Sequence, residues 1–191
     1  MSASVPTVVL FAADWHEATW RPQLAREKLR VLSRLALARA AREAGAPNGP
    51  WDKHESGAPA PLGQWRWSVS HSGGFAAAAL GRVVRLGVDV EPLTRTPSAH
   101  VGERLAALGV SAGDARSLLE AWCRVEAALK AHGVGLVELG SVRVDGSLVH
   151  VGDSTVQTRV FELEGALLAV AGGGVCAMQP PVFERVAEVA A

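Results

Sequence analysis

An excess of charge of one sign, a pattern of paired cysteines and a long apolar run are all missing from this 191-residue chain. Each absence excludes a class of function. Lys and Arg together number 19, as do Asp and Glu, so no overall field draws the chain to nucleic acid or to an anionic membrane. Cys123 and Cys176 lie far apart without metal-ligand spacing. That excludes a disulfide framework and fits a reduced, cytoplasmic protein. The six histidines, His16, His54, His71, His100, His132 and His150, are scattered and show no zinc spacing. The N-terminus lacks the cationic-then-apolar pattern of a signal peptide, and no apolar run approaches the length of a membrane span. What the chain does have is apolar mass. Hydrophobic residues make up 49%, enough for the core of one full-sized domain or of two small ones packed closely together.

The pattern along the chain predicts an α+β fold. Val8 to Ala13 reads as a buried strand, and a helix follows Pro22 and runs to Ala44 before Gly45. Arg26, Arg30 and Arg34 fall on one ridge of that helix. Residues 45–64, rich in Gly and Pro, read as a loop. A meander of three strands is expected next, Trp65 to Ser70, Phe75 to Leu80 and Val83 to Val90, turning at Gly73-Gly74 and Gly81-Arg82. Short helices are expected over 92–117 and a longer one over 118–132, stopping at Gly133. Three or four strands close the chain, with hairpin turns at Asp145-Gly146 and Glu164-Gly165. Helix followed by antiparallel meander thus occurs twice. The division is into an N-terminal half, 1–84, and a C-terminal half, 85–191, which carries the acids described next.

In Gly87-Val88-Asp89-Val90-Glu91 the two carboxylates stand at i and i+2, on one face of a strand. Alone, such acids are most simply solvated. Downstream, a helix advancing about 100° per residue from Leu118 places Leu119, Trp122, Val125 and Leu129 in one apolar arc, and Glu126 falls inside it at about 80°. An acid there is costly unless it has a partner. The simplest partner is Lys130, one turn on, or an arginine, in a structural salt bridge. Glu120 and Arg124 lie opposite as a solvent-facing pair. Three acids and a lysine in this arrangement also suit a hard cation and a phosphate. Ser70-His71-Ser72-Gly73-Gly74 combines hydroxyls, an imidazole and backbone amides in a turn that could cradle an anion. Taken singly, His71 is a surface turn residue and the arginine ridge a solvated face.

In order, Ser70-His71-Ser72, Leu86-Gly87-Val88-Asp89-Val90-Glu91 and Trp122 to Lys130 with Gly133-Val134-Gly135-Leu136 resemble the 4'-phosphopantetheinyl transferase superfamily. The closer resemblance is to its single-chain, pseudodimeric surfactin-type branch, and it covers residues 57–136 well. It implies two similar helix-plus-meander halves packed as a pseudodimer, hence a monomer. It implies transfer of phosphopantetheine from coenzyme A to a serine of an acyl or peptidyl carrier protein, with release of 3',5'-ADP. By match, Asp89, Glu91 and Glu126 would hold magnesium. Glu126 would take the serine proton, directly or through water, and Lys130 would neutralise the diphosphate. Ser70 and His71 would meet coenzyme A, and one of Arg26, Arg30 and Arg34, with Arg34 favoured, its 3'-phosphate. The carrier could belong to fatty-acid synthesis or to secondary metabolism.

Two residues depart from that pattern. The loop reads Gly57-Ala58-Pro59, with alanine where the family has lysine, and Lys53 or Arg66 are candidates to replace that charge. Val125 stands where a lysine usually precedes the glutamate, and its place in the apolar arc predicts that it packs. These losses define the alternative, a non-catalytic protein that binds coenzyme A or a carrier and keeps the fold.

Overall fold

The computed structural model describes residues 5–13, 22–110 and 113–187. The fold is α+β, with three α-helices and two antiparallel-rich sheets among the described residues. In chain order the elements are β1 (Thr7–Ala13), α1 (Pro22–Ala44), β2 (Arg66–Ser72), β3 (Phe75–Gly81), β4 (Leu86–Pro92), α2 (Ala99–Ala107), α3 (Ala115–His132), β5 (Val142–Asp145), β6 (Leu148–Val151), β7 (Ser154–Leu163), β8 (Ala166–Gly172) and β9 (Val182–Val186). None of the described helices is long and apolar enough to cross a membrane.

The first sheet has the order β2-β3-β1-β9 and the second β4-β8-β7-β6-β5. Strands β1 and β3 are apolar at nearly every position because both of their faces are covered. Val9, Phe11, Ala76, Ala78 and Leu80 pack against Leu32, Ala36 and Leu37 of α1. The alternate residues Val8, Leu10, Ala77 and Ala79 join Val88, Val90, Leu168 and Val170 of the second sheet in a core between the sheets. On the far side of the second sheet, Ala169 and Ala171 meet Trp122, Val125 and Leu129 of α3. The pleat, alternating with period two, sends each strand's residues into two different cores.

Most of the expected elements form, with bounds shifted by a few residues. Helix α3 begins at Ala115, earlier than the apolar arc implies, because the Asp114 carboxylate accepts the Ser117 N–H at 2.7 Å and caps it. It stops at Gly133, whose φ of 70° is a left-handed conformation suited to glycine. The region 92–117 holds one short helix, α2, and residues 111–112 lie outside the described part. Five strands, rather than three or four, follow α3.

The expected three-strand meander is corrected. β2 and β3 pair, but β4 leaves them and pairs antiparallel with β8, Asp89 opposite Ala169. β4 nevertheless stays beside β2 at the edge where the two sheets meet. The link is made by side chains: Ser68, Ser70 and Ser72, alternate residues of β2, reach Val88 N–H, Asp89 and Glu91 of β4.

Candidate active site

The site begins with the seam between β2 and β4. Asp89 and Glu91 project from β4 on the face shared with Gly87, the face against α3. Glycine at 87 is required by close approach. A Cβ there would lie 2.0 Å from the Ala127 carbonyl oxygen and 2.5 Å from the Ala131 nitrogen. Helix α3 therefore lies directly on β4, which brings Glu126 and Lys130 beside the two strand acids. Val125 is fully buried, as the helical arc predicts.

Asp89, Glu91, Glu126 and Lys130 line one cavity of about 360 Å³, together with Ser70, Ser72 and Arg95. The strand acids are not solvated: Asp89 is 2% exposed and Glu91 3%. Each has partners. Asp89 Oδ1 accepts from Lys130 Nζ at 2.6 Å and from Ser70 Oγ at 2.8 Å, and Lys130 Nζ also donates to Ser70 Oγ at 2.9 Å. Glu91 Oε2 accepts from Ser72 Oγ at 2.7 Å, while Arg95 donates to Oε1. Asp89 Oδ2 is buried and has no hydrogen-bond partner among the described residues.

Glu126 is the acid least provided for. Its Oε2 stands 3.7 Å from Lys130 Nζ, an ion pair at long range. Burial, followed by the nearby Asp89 charge, pushes its pKa from 4.5 up to about 7, although Lys130 pulls the other way. Burial disfavours the Lys130 ammonium, but Asp89 and Glu126 outweigh it and hold the lysine pKa above its usual value. Cys123, buried under the same strand, has its pKa raised by burial and donates its thiol to the Asp89 carbonyl at 3.3 Å. It is a packing residue.

The second cavity is a groove of about 920 Å³ between α1 and β2. Arg30 and Arg34 line it, with His71, Lys53 and Trp51, and Asp52 is the acid among its described lining residues. Arg26, on the same ridge, is exposed and does not line the groove. The alternation of β2 explains how the two cavities divide the Ser-His-Ser motif. Trp67, Val69 and His71 face α1, whereas Ser70 and Ser72 face the acids. The serine hydroxyls are thus spent on Asp89, Lys130 and Glu91, in place of the anion cradle the sequence suggests. Lys53, Val69 and His71 line both cavities, which adjoin.

Arg95 carries no signal in the sequence, since its partner Glu91 is recognisable only once the strand end and the turn after it are placed. Lys53 is brought to the groove by a bridge between its backbone and Pro59. Glu120 and Arg124 pair at 2.8 Å, and Arg124 also donates to Thr158 across α3 and β7. Among the described residues no three His, Cys, Asp or Glu side chains converge into a ready-made metal cage, and His16 lies outside those residues. No protein-family model matches the chain, and no curated protein sequence matches it significantly.

Proposed function

We propose that this protein is a magnesium-dependent 4'-phosphopantetheinyl transferase. It moves phosphopantetheine from coenzyme A to a serine of an acyl or peptidyl carrier protein and releases 3',5'-ADP. The observation that carries the reading is the junction of two unlike cavities. An acid pocket holding a lysine opens beside a larger groove lined by Arg30, Arg34, Lys53 and His71. A substrate with a diphosphate at its centre and a further phosphate at its nucleotide end has that charge distribution. Two helix-on-sheet units meeting at the β2–β4 seam are in keeping with the fused, pseudodimeric fold of that family.

Two features of the acids fit a divalent cation. Asp89 Oδ2 is buried without a partner, and Glu126 has its pKa raised in a pocket where carboxylates crowd. Asp89 and Glu126 would hold the ion, with Glu91 engaged by Arg95 and Ser72 at the wall. Bound there, such an ion would neutralise charge on the diphosphate. The remaining work falls to the chain. The carrier serine oxygen forms a bond to the phosphorus nearer the pantetheine as the bond to the bridging oxygen breaks. The electron pair and negative charge leave with 3',5'-ADP. Glu126 accepts the serine proton, directly or through water. Lys130, one turn along α3, faces the departing charge, and Arg30 and Arg34 hold the nucleotide's 3'-phosphate. Little covalent chemistry is asked of the protein, so positioning and charge neutralisation dominate.

A second reading is favoured by one observation: Lys130 and Arg95 already satisfy oxygens of Asp89 and Glu91. That internal pairing suits a protein that binds coenzyme A or a carrier without turning it over. Intact-mass spectrometry of an apo carrier protein, incubated with the chain, coenzyme A and magnesium, separates the two. The transferase adds one phosphopantetheine, and EDTA or Glu126→Ala abolishes the gain while circular dichroism stays native. Coenzyme A binding with no mass gain across several carriers leaves the binding protein.

A further inference from the structure

Three residues line both the arginine groove and the acid pocket: Lys53, Val69 and His71. Of these, Lys53 alone bears an ammonium side chain. Its backbone is well anchored although its side chain is exposed. Lys53 bridges antiparallel to Pro59, and the bonds on either side, His54 N–H to Ala58 carbonyl and Ala60 N–H to Asp52 carbonyl, are each 2.8 Å. No hydrogen bond or ion pair engages its ammonium among the described residues. An anionic ligand crossing from the groove toward Asp89, Glu91 and Glu126 approaches three acids, against which the pocket sets Lys130 and Arg95. Both of those cations are already paired with acids. A further cation at the boundary is what such a ligand lacks.

We infer that Lys53 is the residue that binds the diphosphate link of coenzyme A where it passes from the groove into the acid pocket. The assignment rests on the transferase reading and separates two phosphate contacts within it. Lys53 meets the diphosphate, whereas Arg34 on α1, which lines the groove but not the acid pocket, meets the ribose 3'-phosphate.

Two ligands resolve these contacts: coenzyme A, and 3'-dephospho-coenzyme A, which keeps the diphosphate and lacks the 3'-phosphate. Binding is measured by isothermal titration calorimetry at fixed ionic strength, on the full chain and on the Lys53→Ala, Lys53→Arg and Arg34→Ala variants. Loss of one charged contact weakens binding about tenfold. Lys53→Ala is expected to weaken both ligands by the same factor, and Lys53→Arg to retain most of the affinity for both. Arg34→Ala is expected to weaken coenzyme A alone. A Lys53→Ala loss confined to coenzyme A, or no loss with either ligand, overturns the assignment while the functional reading stands. Wild-type protein that binds neither ligand overturns the functional reading and the assignment with it.

Discussion

Glu126 carries its charge at a cost that the folded protein imposes. Its pKa rises from 4.5 in the open chain to about 7 in the fold, through burial and the neighbouring Asp89. The folded state therefore holds the proton more tightly than the unfolded one. The sign follows: the contribution of Glu126 to stability is fully present below about pH 4.5 and is lost as pH rises through about 7. A shift of this size corresponds to about 3 kcal/mol. Glu126→Gln, which keeps the shape without the charge, is expected to be more stable than wild type at pH 8 by up to about 3 kcal/mol. The two should be equal near pH 4, as read by urea unfolding at each pH. Adding magnesium at pH 8 should stabilise the wild-type protein more than the variant. On the proposed transferase reading the same substitution is expected to abolish phosphopantetheine transfer, so stability and turnover should move in opposite directions at one residue.

At the scale of elements, the contact between β4 and α3 decides both packing and site. Because Gly87 admits the backbone of Ala127 and Ala131, any side chain there must push the helix away. Gly87→Ala is expected to lose about 3 kcal/mol of stability, the upper end of the usual cost of overpacking, since the obstacle is main chain and cannot rotate aside. Urea denaturation measures the loss. Transfer activity should fall further than stability accounts for, since Glu126 and Lys130 ride on the displaced helix. Elements held by local pattern were legible beforehand: α1 between Pro22 and Gly45, α3 from its apolar arc, and β2 with β3 across the Gly73-Gly74 turn. Glu126 was legible because an acid stood in an apolar arc, and Val125 because it completed that arc. The sheet that β4 joins was not, because its partner β8 follows far along the chain and no turn connects them. The part played by Ser72 and Arg95 was hidden for the same reason. Their partner Glu91 belongs to a seam that exists only after the two sheets pack.

Across the whole molecule, the chain closes on its beginning. β9 lies parallel to β1, Val9 opposite Val182 and Ala13 opposite Val186, so the last described strand completes the first sheet. Phe183 packs on the core between the sheets and Val186 on the core under α1. Ending the chain before Val182 strips β1 of a partner and removes Phe183 and Val186 from the two cores they cover. A loss of about 2–3 kcal/mol is expected from the buried apolar area alone. Thermal unfolding followed by tryptophan fluorescence checks it, with Trp65 and Trp67 reporting on the first sheet and Trp122 on the second. In the truncated protein the first-sheet signal should melt ahead of the second, whereas the full chain melts once.

The division of labour along β2 has a further consequence, one of phase. His71 borders the arginine groove while its neighbours Ser70 and Ser72 face only the acid pocket because the pleat alternates. A slip of β2 by one residue against β3 would exchange them, turning the imidazole toward the acids and the hydroxyls toward the arginines. Substituting Ser70 or Ser72 alters the acid pocket alone, whereas Val69 and His71 border both cavities. A single inserted or deleted residue inside it inverts both, so this strand tolerates changes of letter far better than changes of frame.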